Sequence, residues 1–164
     1  MIALIAAYTK NRVIGRDGHI PWHIDGEQKR FRKLTTGNVV IMGRRTYCDI
    51  GRPLPGRFTI IISSAAEIYD DNCTTVRSLN DAFMYAARNF PKKDIFIAGG
   101  AQVYAETIPL CDKLFITEID TEIPGDRFFP EFDTSLFTRN EEARFPSSET
   151  GSALSYTYVT FTRK

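Results

Sequence analysis

Cysteine is scarce in this chain: Cys48, Cys73 and Cys111 are odd in number, lie far apart and form no C-x-x-C pair. That excludes a disulfide framework and a thiolate metal site, and it fits a reducing cytosol. An excess of charge is missing too, since 21 Lys and Arg stand against 20 Asp and Glu for a net charge of +1. The chain therefore has no general footprint for DNA, RNA or an acidic membrane surface, and the expected partner is small. Long apolar runs are absent. The longest, Met1 to Tyr8, is far below the ~20 residues of a membrane span, and nothing marks the chain for export. Asn72-Cys73-Thr74 is then a chance match to a glycosylation sequon. Histidine is limited to His19 and His23, which straddle Pro21 and cannot share a helical face, so no metal is expected.

What is present suits one core. With 164 residues, 43% hydrophobic and 25% charged, the chain reads as a single domain over 1–164 able to stand without staples. Ile2 to Tyr8 and Val39 to Met42 are continuous apolar runs, the mark of strands covered on both faces in an α/β sheet. Thr59 to Ile62, Asp94 to Ala98 and Lys113 to Ile119 read the same way. Helices are expected over Asp25 to Leu34, over Asn80 to Arg88 with an Asn cap, and over Ala101 to Ile108 before Pro109. A shorter helix to Ile50 should open at Gly43-Arg44-Arg45-Thr46. The tail, Leu136 to Phe145 and Ala153 to Phe161, alternates about Ser147 to Gly151 and predicts an antiparallel hairpin at the sheet edge.

Three loops and one acid carry chemistry. Gly51-Arg52-Pro53-Leu54-Pro55-Gly56-Arg57-Phe58 nearly spells a phosphate-binding loop, but two prolines remove donors and Arg57 stands in place of Lys. As a stiff turn it displays two arginines suited to a carboxylate, or it is a plain surface turn. Gly43-Arg44-Arg45-Thr46 closes an apolar strand with adjacent guanidiniums suited to a nucleotide 2′-phosphate, unless these are merely surface charge. Ala98-Gly99-Gly100-Ala101 sits at a similar junction, where paired glycines let a backbone approach a pyrophosphate. Glu27 shares the stripe of Ile24, Phe31 and Leu34, aiming a carboxylate at the apolar side of a basic helix. Either a ligand donor meets it there, or it is a first-turn acid favoured by the helix dipole or paired with Arg30. Trp22 is core or pocket wall.

In order and spacing, IALIAAY, NRVIG, IPWHIDGEQKRF, VVIMGRRTY, GRPLPGR, IIISS, IAGGAQVY and LFITEID resemble the dihydrofolate reductase family, from residue 1 into the terminal hairpin. The resemblance implies a central eight-stranded, mostly parallel sheet flanked by helices. It further implies a cytoplasmic, monomeric oxidoreductase that makes tetrahydrofolate for one-carbon metabolism by NADPH-dependent reduction of dihydrofolate, and that antifolates inhibit. Carried over position by position, it makes Glu27 the active-site acid, with Trp22 and Tyr104 beside it as catalytic residues. Ile5 and Ala98 would lend carbonyls to the pterin; Ala6, Phe31, Ile50 and Leu54 would wall the slot. Arg57 would hold the α-carboxylate of the glutamate tail with Arg52 nearby, and Thr117 would support the acid. On the cofactor side it points to Ala7, Ile14, the lid residues Gly15, Arg16, Asp17, Gly18, His19 and Ile20, and to Gly43, Arg44, Arg45, Thr46, Ser63, Ser64 and Arg77. Gly99, Gly100, Ala101, Gln102 and Val103 would face the pyrophosphate, and Tyr104 the nicotinamide. Glu27 departs from the Asp of many bacterial relatives, and Ile20, Asp49 and Gln102 depart from a common methionine, serine and arginine. Two rivals remain: a same-fold reductase of riboflavin synthesis, which needs neither Arg57 nor the Glu27 stripe, and a non-catalytic nucleotide-binding module, which needs neither a lid nor a buried acid.

Overall fold

Strands that are apolar along their whole length need cover on both faces, and here they receive it. A computed structural model describes residues 1–24, 26–65, 67–68, 70–147 and 154–164. In chain order the elements are β1 (Ile2–Thr9), β2 (Val13–Gly15), α1 (Glu27–Thr35), β3 (Val39–Gly43), α2 (Arg44–Ile50), β4 (Phe58–Ile62), β5 (Cys73–Val76), α3 (Leu79–Asn89), β6 (Ile95–Ile97), α4 (Ala101–Thr107), β7 (Lys113–Ile119), β8 (Arg127–Phe128), β9 (Phe137–Phe145) and β10 (Tyr156–Arg163). The sheet runs β5-β4-β3-β6-β1-β7-β10-β9, parallel from β5 to β7, with β10 and β9 antiparallel at one edge. An α/β sheet of eight strands ending in an antiparallel pair is the architecture expected.

Alternate residues of each inner strand face opposite layers. On one side Ala3, Ile5 and Phe96 pack against Phe31 and Leu34 of α1, while Val40 and Met42 pack against Tyr47 of α2. On the other, Leu4, Ala6, Ile41 and Ile97 pack against Ala82 and Ala86 of α3 and Tyr104 of α4. Helices on both faces leave no room for an alternating polar face.

Several boundaries move. α3 is capped by Ser78, whose hydroxyl accepts from the Asp81 amide at 3.1 Å, so Asn80 lies inside the helix rather than at its cap. Both residue types cap well, and the burial of Ala82 and Ala86 selects the earlier start. α1 begins at Glu27, with Gly26 ahead of it at φ 88°; Asp25 lies outside the described residues. Leu136 belongs to a short 3-10 turn, Thr134–Leu136, instead of the strand. Of the expected hairpin turn, 148–151 lies outside the described residues, as does Ala153.

A second, two-stranded sheet joins β2 to β8. Val13 pairs with Phe128 and Gly15 with Arg127. The chain turns back after β2 through Asp17 and Gly18, both at positive φ, with Arg16 and His19 exchanging backbone hydrogen bonds of 2.7 and 2.9 Å. This tip is tied to the 125–128 segment. Asp17 N donates to Asp126 Oδ2 at 3.0 Å and Asp126 N to the Gly15 carbonyl at 3.0 Å. A Cβ on Gly125 would stand 2.3 Å from Val13 Cγ1 and 2.8 Å from the Gly15 carbonyl oxygen, so a side chain there must push β2 and β8 apart. Gly125→Ala should lower stability by about 1 to 3 kcal/mol, as overpacking does. Urea unfolding of the variant beside its parent measures this, and equal midpoints would mean that the 125–128 segment yields freely.

Candidate active site

Parallel strands release their chains at one end, and the expected cofactor residues collect there. β3 pairs with β6 in register, Ile41 opposite Ile97, so the Gly43 and Gly99 junctions lie side by side and Gly43 N donates to the Gly99 carbonyl at 2.9 Å. Gly99 takes φ +125°, which side chains rarely adopt; a Cβ there would press on Thr46 Oγ1 at 3.2 Å and the Tyr104 hydroxyl at 3.4 Å. The Gly99–Gly100 peptide is cis. This is a cradle that any side chain would fill. Arg44 and Arg45 stand exposed beside it and make no ion pair among the described residues. One strand further, Arg77 donates to the Ser64 carbonyl at 2.8 Å and pairs with Glu67 at 3.6 Å, next to the buried Ser63. Gln102 is turned along α4 to Glu106 at 3.2 Å, and Val103 packs inward. Exposed free cations beside a glycine cradle are what a dinucleotide with an extra phosphate requires, so the residues present fit NADPH.

Glu27 opens α1 and reaches β7. The Thr117 hydroxyl donates to its Oε2 at 2.9 Å, with Oε1 at 3.1 Å. Burial pushes the Glu27 carboxyl above the usual carboxylate range, opposed by the Thr117 bond and by the Arg30 guanidinium. Phe31 packs against the cluster of Ile5 and also against the cluster that holds Leu54, with Ile50 and Ala98 on the latter, so three of the expected wall residues and both residues expected to lend carbonyls are gathered here. Tyr104 is buried, its phenol pushed up by burial and by Glu27, and it donates to the Ile5 carbonyl at 2.8 Å. Trp22 packs with Ala7 beside Ile24, Ile119 and Tyr156. Ala6 departs from the expectation: its side chain joins Leu4 and Tyr8 on the far face, so it can wall the slot only through its backbone. Ile14 packs into that same far cluster.

The sequence places Arg57 on display in a turn, yet it is only 7% exposed. Its Nε donates to the Pro55 carbonyl at 3.0 Å and its Nη1 to Thr35 Oγ1 at 3.3 Å, with the guanidinium 5.8 Å from the Phe31 ring. No carboxylate pairs with it among the described residues, and Arg32 and Arg52 add to the local positive charge. Arg52 itself is exposed. In the Gly15–Ile20 segment, Ile20 is 66% exposed and Arg16 stands 3.9 Å from Asp17. Among the described residues no three His, Cys, Asp or Glu are grouped to hold a metal ion. A groove of about 840 Å³ on the opposite face of β7 and β10 is a poor rival, because Lys10 and Arg139 are already paired with Asp120 and Glu118. Sequence reasoning missed Tyr158 and Asp126 altogether and met Arg30 only as an alternative partner for Glu27.

A carboxyl whose folded midpoint is raised binds its proton more tightly in the native chain than in the unfolded one, so it costs stability as pH rises through that midpoint. Glu27→Gln removes this dependence. The stability of the variant minus that of its parent, read by urea unfolding without ligands, should rise from about pH 4 to about pH 7. A flat difference would show an acid no more comfortable protonated in the fold than out of it.

The comparisons agree with the geometry. A family model described as Dihydrofolate reductase matches residues 1–163. The chain is 43% identical over 135 residues to a dihydrofolate reductase of Bacillus subtilis, covering 82% of this chain and 79% of that one. It is 38% identical over 164 residues to the type A13 enzyme of Escherichia coli, covering 99% and 94%. A solved dihydrofolate reductase from Enterococcus faecalis, complexed with NADP(H) and RAB-propyl, superposes with a TM-score of 0.88 at 33% identity, covering 100% of this chain and 96% of that one. Matches in sequence and in three dimensions both run the length of the chain, which therefore belongs to the dihydrofolate reductase family.

Proposed function

We propose that Glu27 is the substrate anchor in an NADPH-dependent reduction of 7,8-dihydrofolate to 5,6,7,8-tetrahydrofolate, and one observation carries the reading. A half-buried carboxylate, held by Thr117, lies in an apolar cleft with no cation paired directly to it among the described residues. A pterin offers two donors, N3 and the 2-amino group, to two carboxylate oxygens. The bound cofactor supplies the hydride that pterin C6 accepts. Ile5, Phe31, Leu54, Ile50 and Ala98 exclude water from the ring and orient it. Glu27 occupies the N3 side, too far along the ring to protonate N5 itself, so a water admitted under the Gly15–Ile20 lid delivers that proton. Arg57 takes the α-carboxylate of the substrate's tail, with Arg52 at the rim. Arg44, Arg45 and Thr46, with Ser64 and Arg77 on the next strands, take the adenosine phosphates.

The same reading makes residues 1–164 one domain, working as a monomer in the cytoplasm on small molecules and not on nucleic acid. Free Cys48, Cys73 and Cys111 suit a reducing compartment, and no helix among the described residues is long and apolar enough to cross a membrane. The deciding experiment is loss of reduced nicotinamide absorbance with purified protein, NADPH and dihydrofolate. No oxidation above the rate without dihydrofolate would end the proposal.

Arg57→Ala should weaken ligands bearing the glutamate tail by about 1.5 to 3 kcal/mol and leave tail-less pteridines nearly unaffected. Dissociation constants for one ligand of each kind measure it, and equal losses would move the tail elsewhere. Replacing Arg44 and Arg45 together with Ala should raise the Michaelis constant for NADPH roughly five- to 150-fold and leave that for NADH nearly unchanged. If the double variant still discriminates like its parent, the 2′-phosphate is held by Arg77 and Ser63 instead.

A further inference from the structure

α1 carries a second charged side chain toward the cleft. Arg30 follows Glu27 by three residues, so both leave the same face of the helix. They form no direct ion pair. Arg30 Nη1 donates to Thr117 Oγ1 at 3.1 Å and to the Ile116 carbonyl at 3.3 Å, while the same Thr117 hydroxyl donates to Glu27 Oε2 at 2.9 Å. The guanidinium carbon sits 4.0 Å from the centre of the Tyr158 ring, and Nη2 is buried with no hydrogen-bond partner among the described residues. A guanidinium can only donate, and a hydroxyl has a single proton. With Nη1 engaged at Oγ1, the Thr117 proton is free to turn to the carboxylate, and the bonds run one way, from cation through hydroxyl to anion.

We infer that Arg30 is a positioning residue for the reaction: acting through Thr117, it fixes Glu27 as an ionised acceptor able to receive two donors from the substrate. This rests on the reading of Glu27 as the pterin's anchor. Burial by itself favours the protonated form of Glu27, and a protonated carboxyl has one oxygen fewer to offer as an acceptor. Among the described residues Arg30 is the only cation that acts on Glu27, and it opposes that tendency. Tyr104 on α4 and Tyr158 on β10 also face the carboxylate, but as neutral phenols; burial first and Glu27 second push Tyr158 up to about 12. Glu142 on β9 acts in turn on Arg30, helping it hold its charge against burial. The first turn of α1 adds a further preference for the anion. None of these replaces a charge linked to the carboxylate through one hydroxyl.

The test follows the Glu27 carboxyl by carbon NMR in full-length protein labelled at glutamate Cδ, with Glu27→Gln assigning the signal. Arg30→Met should raise the titration midpoint by about one pH unit. Arg30→Lys, which keeps the charge, should return it close to the parent. Arg30→Gln keeps donors and length but not charge, and decides the matter if the Met variant does not fold; it too should titrate higher. Midpoints unchanged in both uncharged variants would overturn the inference, as would lowered unfolding midpoints in all three variants with no change in the carboxyl titration, since that is how a merely structural arginine behaves. The pH profile of kcat/KM for dihydrofolate should move with the carboxyl signal. A carboxyl that shifts while the profile stays still leaves the coupling standing and removes Glu27 as the anchor instead.

Discussion

Parallel pairing in the middle of the sheet is the constraint from which the cleft follows. Because β3, β6 and β1 run the same way in register, each surrenders its chain at the same edge, and the turns that follow are forced into contact. The Gly43 amide meets the Gly99 carbonyl because Ile41 and Ile97 are opposite one another two residues earlier. Ligands of open α/β sheets lie at such an edge for this reason. The residues that matter are spread over more than a hundred positions of sequence, from Ile5 to Thr117, yet they are consecutive across the sheet.

Charge is distributed to match. Away from this edge, cations are engaged: Lys10 with Asp120, Arg139 with Glu118 and Glu141, Arg163 with the Cys111 and Ile108 carbonyls. Near the edge, Arg44, Arg45 and Arg57 have no anion among the described residues, and Glu27 meets its cation only through a hydroxyl. A near-neutral chain can thus bind a polyanion and an uncharged ring side by side, because the local field and not the net charge does the selecting.

Much of the fold was legible because burial writes directly into composition. β1 and β3 are covered on both faces, and their apolar runs are continuous. β5, Cys73-Thr74-Thr75-Val76, is half-buried at the sheet edge and left no such trace. β2 and β8 exist only by pairing segments more than a hundred residues apart, which no local pattern encodes. In the cleft, Glu27 stood out because a carboxylate on an apolar stripe is costly anywhere, whereas Arg57 read as a carboxylate clamp or a plain turn arginine, with nothing local to mark its burial. Its burial depends on Thr35 and Phe31, contributed by a helix some two dozen residues earlier. Thr117, Arg30 and Tyr158 converge from β7, α1 and β10, and only the assembled sheet makes them neighbours.

A buried arginine with no counter-ion among the described residues also makes folding and binding two readings of one balance. The native chain carries the desolvation cost of the Arg57 guanidinium, and the unfolded chain does not. A carboxylate that reaches Arg57 offsets that cost and has nothing comparable to grip once the chain is open. Ligand at a hundredfold excess over its dissociation constant then adds about 2.7 kcal/mol to the native state, a sizeable share of what holds a domain together. Any ligand whose carboxylate reaches Arg57 would thereby also protect the native chain from proteolysis, with no change in the fold itself.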